Sequence, residues 1–284
     1  MSFRLKLMLP LLAVFTASVG YPLLYAFYLS LTNYKITARY NTRLVGLKQY
    51  IATLQDPNYW SALQVTGTFV LLAVFIEFWL GLFIALALQK QTRIRNFTRS
   101  FLLTPMFVTP IAIGLMFRFL LNQQLGVIPT FMAKFGLSYD FFGPGKALYS
   151  IVLIDVWQWT PFMVLLLLAG LEGLSRSPFE AAKVDGASAF FTFRKITLPL
   201  LVPVISVAVL IRALDAMKVF EYVFAITRGG PAIQTMTIQY YTYQTGIQFY
   251  RLGLASAMSY LLLIIVMVIV VILFRRIEST RKNP

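Results

Sequence analysis

The 284-residue chain contains no cysteine and no histidine. Without cysteine there is no disulfide framework and no thiolate chemistry. Without histidine the commonest metal ligand and the commonest general base are both missing. No metal site is expected, and no catalytic residue is assigned. Charge is scarce as well: 12% of residues are charged, against about 25% in a soluble domain. Acidic residues are fewest, ten against 25 lysines and arginines, for a net charge of +15. A Gly-x-x-x-x-Gly-Lys-Ser/Thr phosphate loop is also lacking. Gly143-Pro144-Gly145-Lys146 is a partial echo, with Asp140 where the first glycine belongs. ATP hydrolysis by this chain is therefore not expected, nor is any cofactor bound by it.

What the chain has is apolar surface. Hydrophobic residues make up 59% of it, and mean hydropathy is +0.75. This composition indicates an all-α integral membrane protein, one transmembrane domain over residues 1–284 with six spans. The spans are expected at 7–31, 62–88, 101–121, 148–171, 200–227 and 252–274, with a polar loop at 172–199. Pro105 and Pro110 break the third span. Gly46 to Tyr50 and Asp56-Pro57 mark turns or a short surface helix. Fourteen basic residues fall on one side of these spans, among them Arg93, Arg176, Lys183, Arg194 and Arg275, and eight on the other. The positive-inside rule then puts both termini and the 172–199 loop in the cytoplasm. Placed beside hydrophobic spans, the basic excess is topogenic and does not indicate nucleic acid.

The 172–199 loop carries a well-punctuated helix, Ser177-Pro178-Phe179-Glu180-Ala181-Ala182-Lys183-Val184-Asp185-Gly186-Ala187. Ser177 suits an N-cap, Pro178 the first turn, and Glu180 a capping box. Gly186 suits the left-handed residue that ends a helix. About two turns cannot persist alone in water. Phe179, Val184, Phe190, Phe191 and Phe193 suggest a docking surface. A partner protein and a layer of lipid headgroups fit these residues equally well.

Continued through Ile196-Thr197-Leu198-Pro199, this stretch closely resembles the EAA loop of ABC importer permeases. Glu-Ala-Ala, three residues, Gly, nine residues and Ile-x-Leu-Pro all fall in register. The resemblance implies a coupling helix seated in a separate ATPase subunit, with ATP and magnesium on that partner. It gives the ATPase-coupling residues as Glu180, Ala181, Ala182, Asp185, Gly186, Ala187, Ile196, Leu198 and Pro199. Tyr21-Pro22, Leu31-Thr32-Asn33-Tyr34, Val45-Gly46-Leu47 with Tyr50, Asp56-Pro57 and Thr227-Arg228-Gly229-Gly230-Pro231 extend the likeness to the maltose-type, carbohydrate-importing permeases. The Gly-Gly-Pro segment and the absence of a Lys-Gly ending are similar to the first of the two permeases in such systems. The implied partners are a second homologous permease, two ATPase subunits, an extracytoplasmic solute-binding protein and the bacterial inner-membrane bilayer.

Charges inside spans default to functional hypotheses. Arg212, Asp215, Lys218 and Glu221 alternate in sign at three-residue spacing, so neighbours on a helix pair and neutralise one another. They line a watery path or form a salt-bridged seam; the seam is favoured for Lys218 and Glu221. Glu77, Arg118 and Asp155 are the other buried candidates. The resemblance carries sugar contacts onto Gln158, Trp159, Phe162, Arg212, Asp215, Ala216 and Val219. On this reading Arg212→Ala alters affinity or selectivity and leaves assembly intact. Two rival functions remain: an ion-coupled secondary transporter using Asp155 or Asp215, and an intramembrane enzyme acting on a lipid-linked substrate.

Overall fold

A computed structural model describes residues 3–90 and 95–282. Arg93, counted above on the basic side, lies outside the described residues. In chain order the helices are α1 (Phe3–Phe15), α2 (Tyr21–Ser30), α3 (Lys48–Leu54), α4 (Pro57–Lys90), α5 (Arg95–Leu103), α6 (Pro110–Leu120) and α7 (Val127–Ala133). They continue with α8 (Ala147–Glu172), α9 (Ser177–Val184), α10 (Ala189–Thr192), α11 (Leu198–Ala216), α12 (Ile238–Tyr243) and α13 (Leu252–Lys282). Among the described residues the extended backbone pairing is a single Thr32–Leu44 bridge.

Five stretches are long and apolar enough to cross a membrane: Pro10–Ser30, Pro57–Gln89, Ala147–Glu172, Ala189–Ala216 and Leu252–Ile272. A sixth exists if the bent pair Ser100–Phe107 and Pro110–Leu120 counts as one span. That pair turns by 95°. Pro105 and Pro110 each remove a backbone donor, and the residue before a proline is pushed out of helical geometry. Thr109 accordingly sits extended at φ −63°, ψ 137°.

Three boundaries differ from expectation. The second span starts five residues early, because Asp56-Pro57 opens a helix rather than a turn. Pro57 is the first residue of α4, and the Asp56 carboxylate accepts from the Asn58 N–H at 2.9 Å. The fifth span also starts early, at Ala189, where the Ser188 side chain accepts from the Phe191 N–H. Helical backbone runs on through a π-helical turn at Phe193–Thr197, so Pro199 lies in the first turn of α11, where its missing donor is harmless. The same span stops at Ala216 instead of Thr227; a turn follows, then a π-helical turn at Val223–Thr227.

The chain clusters into two compact units, 1–61 with 238–269, and 62–237 with 270–284. In the first, Gln49 donates to the Thr32 carbonyl at 3.1 Å, Ser30 and Tyr50 hydroxyls meet at 2.7 Å, and the Val45 N–H bonds the Leu31 carbonyl at 2.8 Å. Tyr241 donates to Asp56. Burial and the Asp56 carboxylate push the Tyr241 phenol up to about 12, so it remains a donor at neutral pH. Gly253 passes against the backbone of 29–34. A β-carbon there would lie 2.4 Å from the Thr32 carbonyl oxygen and 3.1 Å from the Tyr34 nitrogen. Gly253→Ala is expected to destabilise by roughly 1–3 kcal/mol, as overpacking does. A thermal unfolding midpoint of the purified assembled complex, lower by several degrees, would show it.

The second unit is held by three helices. Leu82, Ala85 and Leu88 of α4, Val164, Leu167, Leu168 and Leu171 of α8, and Leu201 of α11 form one buried cluster. The α8 residues follow i, i+3, i+4, i+7 spacing, which is one helix face. Small residues permit the approach. A β-carbon at Gly81 would come within 2.7 Å of Met163, and one at Gly170 within 2.8 Å of Val204.

Candidate functional site

Arg212 is one of the largest fully buried side chains, 1% exposed, near the C-terminal end of α11. A guanidinium in that position needs partners from other helices. Its Nε donates to Glu77 of α4 at 2.7 Å, and one Nη donates to the other Glu77 oxygen at 2.9 Å. The same Nη donates to Asp155 of α8. The second Nη reaches Asp215 at 3.4 Å. Glu77 and Asp155 are as buried as Arg212, whereas the Asp215 side chain is 50% exposed. The Trp159 ring covers the guanidinium face, with its centroid 5.4 Å from Cζ. A cavity of about 200 Å³ opens beside this network, lined by Asp155, Trp159, Arg212, Asp215, Lys218 and Glu221, with Val219 and Tyr222 among its other walls.

At the opposite end of α8 and α11, α9 stands between two larger hollows of about 940 and 520 Å³. Its C-terminus is closed by paired reverse bonds. The Ala187 N–H reaches the Ala182 carbonyl at 2.9 Å, and the Gly186 N–H reaches Lys183 at 3.2 Å. Such a closure requires a left-handed residue, and Gly186 supplies it at φ +68°. The expected Ser177 cap does not form. Ser177 is the first helical residue, Arg176 precedes it, and no side chain caps the end. Ala182 is the buried residue of α9, while Glu180, Ala181 and Asp185 are exposed. Val184 is 87% exposed, Phe190 71% and Phe191 51%. Apolar side chains this bare next to a helix of eight residues form an uncovered surface.

The family model of binding-protein-dependent transport system inner membrane components matches residues 77–281. The chain belongs to that family. The permease is 36% identical over 260 residues to the trehalose/maltose transport system permease protein MalF of Thermococcus litoralis, covering 90% of this chain and 86% of that one. It is 31% identical over 258 residues to the sulfoquinovosyl glycerol transport system permease protein SmoG of Agrobacterium fabrum, covering 90% and 84%. Among solved structures it superposes on a bacterial ABC transporter involved in import of the acidic polysaccharide alginate. The TM-score is 0.84 at 22% identity, over 99% of this chain and 95% of that one. The fold is that of the type I ABC importer permeases.

Of the seven side chains assigned to the solute path, Trp159, Arg212, Asp215, Ala216 and Val219 line the permease's 200 Å³ cavity. Gln158 and Phe162 do not. Gln158 is fully buried, donating to the Val108 carbonyl at 2.7 Å and accepting from the Tyr222 hydroxyl. Phe162 meets the edge of Trp159 at 6.4 Å. The expected ladder from Arg212 to Glu221 exists only in its first rung. Because α11 ends at Ala216, the i,i+3 register is lost beyond it. Lys218 and Glu221 line the cavity rather than sealing a seam, and neither side chain forms an ion pair among the described residues. The buried pairing also replaces the expectation that Arg212→Ala leaves assembly intact. Arg118 donates to the Ala225 carbonyl at 3.0 Å and takes no part in the cluster. Trp157 is nearly half exposed and packs edge-on against Phe117, away from the cavity. Two pairings escaped the sequence reading, which names Glu77 only as a buried charge: Glu77 with Arg212, and Tyr222 with Gln158. The lone acid at Glu77 in an apolar run was the available signal for the first.

Proposed function

We propose that this chain is the first of two homologous permease subunits in an ATP-driven importer that moves a sugar or oligosaccharide by alternating access. ATP and magnesium would reside on two separate ATPase subunits, and hydrolysis would belong to them rather than to this chain. An extracytoplasmic binding protein would deliver the solute. Both termini and the 172–199 loop would face the cytoplasm of a bacterial cell. The observation that carries this reading is α9, a short helix sealed by Gly186 and bordered by bare Val184, Phe190 and Phe191. These residues, with Glu180, Ala181, Asp185 and Ala187, would seat in the ATPase. Ile196, Leu198 and Pro199 would pass its motion into α11, since helical backbone is unbroken from Ala189 to Ala216.

The sugar assignment is supported by a cavity that sets an aromatic face beside carboxylates, an arrangement suited to a ring with apolar C–H faces and a hydroxyl rim. Its roughly 200 Å³ falls below the ~300–1,000 Å³ of complete small-ligand sites, as half of a site shared with a second permease would. The relatives named for trehalose/maltose and sulfoquinovosyl glycerol agree in chemical class. Proteoliposomes holding the complete complex should accumulate labelled saccharide when ATP is enclosed with the ATPase subunits, and fail to do so without ATP. Accumulation driven by a proton or sodium gradient with the ATPase subunits absent would replace this reading with ion coupling.

A further inference from the structure

The cavity beside Arg212 has a charge balance that the relatives do not predict. Trehalose and maltose are neutral, whereas sulfoquinovosyl glycerol carries a sulfonate and alginate is a polyuronate, so likeness to their transporters leaves the sign of the solute open. The side chains bear on it. Two cations, Arg212 and Lys218, line the cavity with three carboxylates, Asp155, Asp215 and Glu221; the fully buried Glu77 holds Arg212 but is not part of the lining.

Arg212 is also spent. A guanidinium has five N–H donors. Here Nε and one Nη are committed to Glu77 and Asp155, and the other Nη leans on Asp215. At most one N–H is left for a ligand. Trp159 covers a face of the group. By contrast, acceptors are free. Among the described residues, one Asp215 oxygen makes no hydrogen bond, and the Glu221 carboxylate makes none. A sugar hydroxyl both donates and accepts, so it satisfies Asp215 or Glu221 and still takes a hydrogen from Lys218 or the remaining Arg212 donor. A carboxylate, phosphate or sulfonate can only accept. It would compete for one guanidinium hydrogen and one exposed ammonium while facing the Glu221 carboxylate and the open oxygen of Asp215.

We propose that this cavity takes uncharged sugar residues and turns away carboxylate-, phosphate- and sulfonate-bearing ones, with Asp215 as the selecting group. The inference rests on the sugar-permease reading above and deepens it.

The test measures uptake by the complete transporter, with its own binding protein held constant, of labelled maltose and trehalose, glycerol 3-phosphate and a glucuronic acid disaccharide. At least one neutral probe should enter and neither anion. Asp215→Asn, at a half-exposed position where the chain should still assemble, should raise the KM for the neutral sugar about tenfold, the effect of weakening a hydrogen bond to a charged group. Because the binding protein is unchanged, that shift reads the permease. Entry of an anionic probe, with neutral sugars excluded, would overturn the proposal and leave the carbohydrate reading standing. An unchanged KM in Asp215→Asn would remove Asp215 as the selecting group. An assembled, ATP-hydrolysing complex that moved neither class of saccharide would overturn both readings.

Discussion

Gly186→Asp is expected to abolish ATP-driven uptake while the chain remains inserted at its normal level. The reason lies outside the chain. Gly186 has φ +68°, and a β-carbon built there meets nothing within 4 Å. A non-glycine residue in this conformation costs about 1–2 kcal/mol, and aspartate is among the best tolerated. The added charge sits at the negative end of α9, which costs a further ~0.3–1 kcal/mol. Neither sum unfolds a membrane protein. A partner cleft that covers α9, however, must strip water from the new carboxylate without a cation to receive it, at a cost of several kcal/mol, enough to prevent seating. Gly186→Ala separates the two effects. It keeps the backbone penalty and adds no charge, so it should retain partial uptake. The measurements are uptake into proteoliposomes and recovery of ATPase subunits with the purified permease. Normal uptake by Gly186→Asp would mean that α9 is not the seat of coupling.

The difference between what could and could not be read in advance follows the range of the forces involved. Helix α9 was legible because its signals are local: Pro178 at the start, Gly186 at the end, and alanines between. The apolar spans were legible for the same reason, since each is a run of adjacent residues. Their ends were less so. Asp56-Pro57 reads equally as a turn or a helix start, and only the Asn58 bond to Asp56 decides. Pro199 resembles a helix boundary, yet the preceding π-helical turn carries the backbone through. The prolines of the third span announced a break, while its 95° angle depends on packing that no local pattern encodes. The membrane site divides in the same way. Arg212 and Asp215 are neighbours on one helix, so their pairing follows from spacing. Glu77 lies 135 residues away from Arg212, and nothing in either segment names the other.

Arg212→Met should sharply reduce the amount of folded permease. The substitution keeps length and apolar character but leaves Glu77 and Asp155, both almost wholly buried, without their cation. Removing one partner of a buried ion pair costs about 3–5 kcal/mol, a large part of the ~5–15 kcal/mol that holds a typical protein together. Removing the whole network is a different experiment. A triple replacement, Glu77→Met with Asp155→Leu and Arg212→Met, deletes the stranded charges as well as the cation. Well-packed apolar residues commonly stabilise as much as the ions they replace. The triple variant should therefore accumulate and melt close to the wild type although the single variant does not. Arg212→Lys should fall between them, because an ammonium cannot reach both Glu77 oxygens and Asp155 with a planar fork. Membrane abundance and thermal unfolding in detergent distinguish the three. If Arg212→Met alone accumulated and melted like the wild type, the carboxylates would have to be neutral without it. Arg212 would then not be the pin that joins α4, α8 and α11.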